Sequence, residues 1–250
     1  MKTLVILPTY NEAGNIRGIA EKILSLGDYV HILIVDDNSA DGTREIAGEL
    51  TERYKDRVFL LERPGKLGLG SAYVQGFRFA LEKGYDYAFE MDSDWSHDPQ
   101  EIPNLLEAVK EADLVIGSRY IGGIRIMNWP LARLALSYSA NAYARKMAGL
   151  TLSDCTSGFK CFSRKVLEAL PLDKIVSNGY AFQIEVNFWC QRLGFKIKEI
   201  PIVFSERRSG ASKMSKDIAK EAFWLGVRLF VKRIYDFNPP SLTLPTGGRE

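Results

Sequence analysis

The chain has 250 residues, 46% hydrophobic and 26% charged, a balance that suits one ordinary globular unit with a large core, alone or with an appendage. Its net charge of +2 is too small to argue for a nucleic-acid partner, so any membrane or phosphate partner must be read from local clusters. Cys155, Cys161 and Cys190 form no CxxC pair and leave an odd count, which argues against a disulfide framework or a zinc site. A reducing cytoplasm is then the default, with each thiol a small core residue.

The apolar run at 4–7 stops at Pro8, too short for a signal-peptide core. No uncharged run reaches the roughly 18 residues that a spanning helix needs. The nearest approach, residues 222–231, is short and interrupted by Arg228. A soluble or peripheral protein is expected.

Strands and helices alternate from the amino terminus. Residues 3–7 read as a continuous apolar strand, and Asn11 or Asn15 can cap a helix whose stripe is Ile16, Ile19, Ile23 and Leu24, closed by Gly27. Residues 30–35 form a second strand, and the helix after it starts near Asp41 with Ile46, Ala47 and Leu50 inside. Residues 58–61 are a third strand, followed by a Gly-rich turn and a helix over 72–83. Tyr87 opens a short buried strand that runs into Asp92-Ser93-Asp94, and 114–117 is a fifth. This order predicts an α/β fold whose parallel sheet is covered on both faces and binds ligands at the strands' carboxyl ends.

Polar residues cluster at those ends. On an extended backbone residues i and i+2 share a side, so Asp92 and Asp94 can face one bound object. Two close carboxylates repel unless a cation or proton intervenes, and a divalent metal is the simplest intervening group. Pro8-Thr9-Tyr10-Asn11-Glu12 follows the first strand, Asp36-Asp37-Asn38 the second and Ser118-Arg119-Tyr120 the fifth. Each segment alone reads equally well as a helix cap or a loop turn. Four adjacent strand ends together offer acids, an aromatic and a cation to one crevice.

Other nucleotide motifs fit worse. Gly68-Leu69-Gly70-Ser71-Ala72-Tyr73 begins like a dinucleotide fingerprint, but Tyr73 replaces the third glycine and the motif follows the third strand. Gly68 and Gly70 read instead as a tight turn into a helix. Gly65-Lys66 lacks the Ser or Thr of a Walker loop, which leaves Lys66 as a candidate phosphate neighbour. His31 and His97 are the only histidines, and there is no Gly-x-Ser-x-Gly elbow.

Pro8-Thr9-Tyr10-Asn11-Glu12, Val35-Asp36-Asp37-Asn38-Ser39, Asp92-Ser93-Asp94 and Gly117-Ser118-Arg119-Tyr120 together resemble the inverting, metal-dependent glycosyltransferases of the GT-A fold, family two. Within them the pattern is most similar to the dolichol-phosphate (polyprenol-phosphate) mannose synthases. The resemblance spans about residues 1–215 and takes in Thr156-Ser157-Gly158-Phe159, Gly179-Tyr180-Ala181-Phe182-Gln183 and the segment from Arg207 to Lys213. It implies a Rossmann-like, mostly parallel sheet and transfer of mannose from GDP-mannose to a polyprenyl (dolichyl) phosphate. Pro8, Tyr10, Glu12, Val35 and Asp37 would hold the nucleoside, Asp37 accepting from base or ribose. Asp92, Ser93 and Asp94 would bind the nucleotide sugar, with Asp92 and Asp94 holding Mg2+ or Mn2+ against the donor diphosphate. Arg119, Arg207 and Lys213 would surround the phosphates and, with Asp94, form the catalytic set. Arg119 and Arg133 would meet the lipid phosphate. Ser96 stands where some relatives carry a metal-binding Gln, so direct ligation and a bridging water are both open there.

The chemistry agrees with this without borrowing. Breaking a sugar to diphosphate bond builds negative charge on the leaving oxygen, which a divalent cation with Arg and Lys stabilises. A hydroxyl acceptor normally needs a base, whereas a phosphate monoester, with a second pKa of about 6, is already largely ionised near pH 7. A phosphate acceptor therefore needs cationic positioning, and single displacement with inversion is expected.

Residues 129–148 read as a mostly apolar helix carrying Arg133, Arg145 and Lys146, either buried or lying near lipid headgroups with Arg133 toward the lipid phosphate. From 206 to 233 eight Lys or Arg stand against three acids beside Phe223, Trp224, Leu225, Leu229 and Phe230. That composition suits a peripheral helix on an anionic bilayer, or a solvated helix packed on the core. A strand at 200–204 leads into a loop, 207–213, whose small and charged residues suit closure over a ligand. The expected organisation is a catalytic domain at 1–215, an amphipathic interface helix at 216–237 and a disordered tail at 238–250. The location is the cytoplasmic face of a membrane, with a separate anchoring subunit left open.

Three other functions compete. A processive polysaccharide synthase needs membrane spans and a QxxRW motif, and Gln75-Gly76-Phe77-Arg78-Phe79 ends in Phe and precedes the acid pair. A UDP-glucose-dependent relative usually carries two carboxy-terminal membrane helices, absent here. A non-catalytic nucleotide-sugar scaffold has no need of Asp92, Asp94 and Arg207 together.

Overall fold

The computed structural model describes residues 1–127, 129–205 and 216–235, without side-chain detail at 216–223, 232 and 235. β1 (Thr3–Thr9), α1 (Ile16–Leu24), β2 (Val30–Asp36), α2 (Thr43–Arg53), β3 (Val58–Glu62) and α3 (Leu69–Glu82) come first. β4 (Tyr87–Glu90), α4 (Ile102–Ala108), β5 (Leu114–Ser118) and α5 (Leu131–Ala148) follow. The chain continues through β6 (Lys160–Ser163), α6 (Arg164–Ala169), α7 (Gly179–Arg192), β7 (Ile197–Pro201) and α8 (Lys216–Tyr235).

The strands form one seven-stranded sheet in the order β3-β2-β1-β4-β6-β5-β7. Every neighbouring pair is parallel except those made by β6, which runs antiparallel to both β4 and β5. The sheet is therefore mostly parallel, and β5 is not adjacent to β4 as the motif order implied. β6 escaped the sequence pattern because it is four residues long and opens on a lysine. Its reversal matters for the site. The segment that precedes it, 154–159, lies at the edge where the other strands end.

Alternation along the strands covers both faces. Leu4, Ile6, Leu33 and Val35 enter one core with α3 and α7, while Val5, Leu7, Ile32 and Ile34 enter the other with α1, α2 and α4. All eight are fully buried, and complete burial of such a side chain contributes about 1.5–3 kcal/mol. Burial on both faces is why these strands read as unbroken apolar runs. The three cysteines are buried and free, as expected.

Several boundaries move for local reasons. α3 begins at Leu69, with Gly68 as its N-cap at φ +96°, a conformation that L side chains rarely adopt. Gly70 is needed for close approach, since a Cβ there would stand 2.2 Å from the Ser177 carbonyl oxygen. The edge strand is β7, ending at Pro201, and not 200–204. Phe204 lies beyond β7 and forms an isolated parallel bridge with Ile126, outside the seven strands.

α5 is not a buried helix. Only Asn141, Ala144 and Ala148 are buried, and Leu131, Leu136 and Tyr138 are exposed. α8 packs against α5 and α7 and buries Leu225 and Leu229, while Trp224, Phe230, Val231 and Ile234 are exposed. It ends at Tyr235, and the expected tail at 238–250 lies outside the described residues. Among the described residues no helix is long and apolar enough to cross a membrane.

Candidate active site

The loops after β1 and β2 are locked together before any ligand is considered. Asp36, fully buried, accepts from the Thr9 hydroxyl at 2.9 Å and the Ser39 hydroxyl at 2.6 Å. The Asn11 N–H donates to Ser39 Oγ at 2.9 Å, the Ala40 N–H to Asn11 Oδ1 at 3.1 Å, and the Glu12 N–H to Thr43 Oγ1 at 2.8 Å. Asp36 is thus a brace, and its neighbour Asp37 faces the opposite way. Asp37 Oδ1 lies 2.9 Å from Nη1 of the buried Arg63, and Oδ2 accepts from the Gly68 N–H at 3.2 Å. Burial pushes the Asp37 carboxyl up, against the pull of Arg63.

At this edge of the sheet lies a cavity of about 580 Å³. Of the candidates named from the sequence, Pro8, Tyr10, Glu12, Asp37, Asp92, Ser93, Asp94, Arg119 and Arg133 line it. Val35 does not; its side chain is in the core opposite Pro8. Ser96 does not line it either and is buried behind Asp94, to whose Oδ1 its N–H donates at 3.1 Å. Arg207 and Lys213 lie outside the described residues. Lys66 lines the cavity with its Nζ 4.4 Å from the centre of the Tyr10 ring.

The acid pair is held by its loop, because β4 ends at Glu90 and strand alternation no longer applies at 92–94. Trp95 turns the loop back at φ +67°. Ser93 Oγ donates to the Pro8 carbonyl at 3.1 Å, and the Asp92 N–H donates to His97 Nδ1 at 3.3 Å. His97 is stacked on Phe159, and burial pushes its pKa down to about 4 although Asp94 opposes the shift. The ring is neutral at neutral pH, with its proton on Nε2 because Nδ1 is accepting.

Arg119 is tied down more firmly than its motif suggests. Nε and Nη2 donate to Asp154 Oδ2 and Oδ1, both at 2.7 Å, and Nη2 also donates to Thr156 Oγ1 at 2.7 Å. Burial disfavours both ions, but their mutual attraction and hydrogen bonds outweigh it: Arg119 stays charged and Asp154 is held below the usual carboxylate range. Arg119 presents a fixed edge of positive charge to the cavity. Arg133 stacks on Trp129, 4.0 Å from the ring centre, and reaches the cavity from the exposed helix α5.

The donor set suits Mg2+ or Mn2+ bound together with a diphosphate. Among the described residues no group of three metal-binding side chains is present, so two carboxylates leave most positions to phosphate oxygens and water, which is the Mg2+ habit. Ser96 Oγ, buried beside Asp94 without a hydrogen-bond partner, is a spare oxygen at the same place.

Comparison with known proteins agrees with this geometry. The profile of "Glycosyl transferase family 2" matches residues 4–170. The chain belongs to that family. This family 2 glycosyltransferase is 46% identical over 224 residues to "Polyprenol monophosphomannose synthase" of Mycolicibacterium smegmatis, covering 89% of this chain and 84% of that protein. It is 45% identical to "Undecaprenyl-phosphate mannosyltransferase" of Micrococcus luteus, covering 89% and 91% respectively. In fold it is similar to glucosyl-3-phosphoglycerate synthase from Mycobacterium tuberculosis, solved with Mn2+ and UDP: TM-score 0.65 at 20% identity, covering 93% of this chain and 79% of that one.

The enzyme's cavity also contains residues to which sequence reasoning assigned no role. Thr156, Gly158 and Gln183 are legible only as parts of motifs; Thr156 and Gly158 are placed by the reversal of β6, which they precede, and Gln183 by α7. His97 was set aside as one of two scattered histidines. Arg63, just past β3, carried no signal at all, because its partner is 26 residues earlier in the chain (63 minus 37).

Proposed function

We propose that this chain transfers mannose from GDP-mannose to a polyprenyl phosphate in a single inverting displacement. The identity with two proteins named for polyprenyl-phosphate mannosyl transfer supports the acceptor and the sugar. The observation that carries the mechanism is one cavity that joins Asp92 and Asp94 to Arg133 on an exposed, partly apolar helix.

Asp92 and Asp94 would hold the divalent cation, which when bound neutralises charge on the departing diphosphate. Tyr10 and Asp37, on the loops after β1 and β2, form the nucleoside wall, and Arg63 keeps Asp37 in place. Arg133 is the cation best sited for a phosphate arriving from the α5 side, while Arg119 fixes the floor between the two phosphate groups. Arg207 and Lys213 complete that charge in this reading. His97 is a poor proton acceptor, since it is already neutral with Nδ1 engaged and burial opposes its protonation. An acceptor that needs no base removes that requirement.

Lipid access is also supported by the surface. Leu131, Leu136 and Tyr138 on α5 and Trp224, Phe230, Val231 and Ile234 on α8 are exposed, an apolar area suited to peripheral contact with a bilayer. A thermal-shift comparison of GDP-mannose with UDP-glucose, each with Mn2+, tests the donor. Stabilisation by GDP-mannose is expected; a larger shift with UDP-glucose would move the reading to a glucosyltransferase, and no shift with either would leave a different ligand to be found.

A further inference from the structure

Phe204, beyond the end of β7, lines the cavity and joins two of its loops. Its N–H donates to the Arg125 carbonyl at 2.9 Å and its carbonyl accepts from the Met127 N–H at 2.9 Å. The next residue, Ser205, donates its N–H to the Ser96 carbonyl at 3.2 Å. One short segment thus fixes the loop that carries Asp92 and Asp94 against the loop that leads from Arg119 toward α5.

The ring makes the same join with side chains. It meets His97 with 5.4 Å between ring centres and 73° between planes, and Trp129 with 5.6 Å and 81°. Both contacts are edge-to-face, an arrangement that aromatic quadrupoles favour. The Arg119 guanidinium lies over the Phe204 ring, 5.4 Å from its centre. His97 accepts from the Asp92 N–H, and Trp129 carries Arg133 stacked 4.0 Å from its ring centre. A chain of four cavity-lining side chains, His97, Phe204, Trp129 and Arg133, therefore runs from the acid pair to the exposed helix α5.

Such a chain answers a physical need. A donor diphosphate and an acceptor phosphate are both anions, so they repel unless each meets a fixed counter-charge. Transfer needs the attacking oxygen about 3–3.5 Å from the anomeric carbon, and about 1 Å of misplacement can cost on the order of a hundredfold. Arg119 is already fixed by Asp154 and Thr156, and His97 is stacked on Phe159. Arg133 stands on the exposed first turns of α5, where a long side chain keeps its rotamer freedom unless a platform confines it. Trp129 is such a platform, and Phe204 sets its place relative to the acid pair. Loss of the Phe204 ring would thus fall chiefly on Trp129 and Arg133.

Resting on the reading that Asp92 and Asp94 hold the donor while Arg133 meets the acceptor phosphate, we infer that Phe204 is a positioning residue that acts through Trp129 and Arg133 to set the distance between the two substrates.

Phe204→Leu keeps the apolar character and removes the ring. Steady-state transfer from radiolabelled GDP-mannose to a short-chain polyprenyl phosphate, with Mn2+, is compared for the full-length wild type, Phe204→Leu, Arg133→Ala and the double variant. Calorimetry gives the affinity of each for GDP-mannose. Phe204→Leu is expected to bind GDP-mannose within about twofold of wild type and to lose about tenfold or more in kcat/KM for the acceptor. In the Arg133→Ala background the same substitution is expected to cost less than about twofold, because the group that it positions is gone. Phe204→Tyr, which keeps the ring, is expected to transfer at close to the wild-type rate. A merely structural role predicts weakened donor binding and an equal loss in both backgrounds; either result overturns the inference, as does wild-type transfer by Phe204→Leu. If Phe204→Leu does not fold, Trp129→Leu is put through the same cycle and decides alone. Wild-type acceptor kinetics in Arg133→Ala, or no transfer by the wild type, overturns the underlying reading and the inference with it.

Discussion

Replacing Arg63 by glutamine strands a buried carboxylate. Arg63 is 2% exposed and its Nη1 lies 2.9 Å from Asp37 Oδ1; the same nitrogen donates to the Gly68 carbonyl at 3.2 Å, and Nη2 donates to Ser71 Oγ. Losing one partner of a buried pair costs about 3–5 kcal/mol, because the remaining charge keeps its desolvation penalty without its counter-ion. At this chain length each kcal/mol moves the melting temperature by roughly 2–4 °C, so Arg63→Gln should lower it by roughly 6–20 °C. Adding Asp37→Asn removes the stranded charge and should recover at least half of that loss, a coupling that independent sites would not show. Burial pushes Asp37 up and Arg63 opposes it, so without Arg63 the folded-state pKa rises further above the unfolded one. Stability is then lost as pH rises through that window, and Arg63→Gln should be worse at pH 8 than at pH 5. Melting curves of both single variants and the double variant at the two pH values provide the test. A single variant within 1 °C of wild type, or a double variant as unstable as the sum of the singles, would refute the reasoning.

Three further outcomes are expected. Gly70→Ala drives a methyl to 2.2 Å from the Ser177 carbonyl oxygen, which is backbone and cannot rotate away; a loss of about 1–3 kcal/mol in denaturant titration is expected, and an unchanged midpoint would contradict the close approach. His97, with its pKa pushed down to about 4, refuses a proton that the unfolded chain takes up near 6.5, so stability falls as pH drops across that interval by up to about 3 kcal/mol. His97→Gln should flatten this part of the acid limb, and an unaltered slope would reject it. Phe230→Ser with Ile234→Ser should reduce co-flotation with anionic vesicles while leaving the melting temperature within a few degrees; equal flotation would remove α8 from the membrane contact.

The parts legible in the sequence were those decided locally. β1 and β2 announced themselves as apolar runs because both faces of the sheet are covered, and the strand-end motifs marked the cavity because ligands meet this fold at those ends. What was not legible depended on distant pairing. Nothing near Arg119 indicates that Asp154, 35 residues on, holds it by three hydrogen bonds, one to its backbone N–H and two to its guanidinium. Lys160 carries no signal of burial in the sequence, yet it is fully buried against Glu90, and only the antiparallel register of β6 brings the two together. Val35 carried its role through the motif it sits in, whereas its side chain belongs to the core. Ser96 kept its ambiguity, buried beside Asp94 with an unpartnered hydroxyl.

Transfer of radiolabelled mannose from GDP-mannose to a polyprenyl phosphate tests the central claim most directly, with proton coupling at the anomeric carbon of the product read in the same experiment. Label is expected in the lipid fraction only with Mg2+ or Mn2+ present, with inverted configuration, and Asp94→Asn should lower the rate on the order of a hundredfold or more. A product with retained configuration, or no lipid-bound label while UDP-glucose supports transfer, would contradict the account.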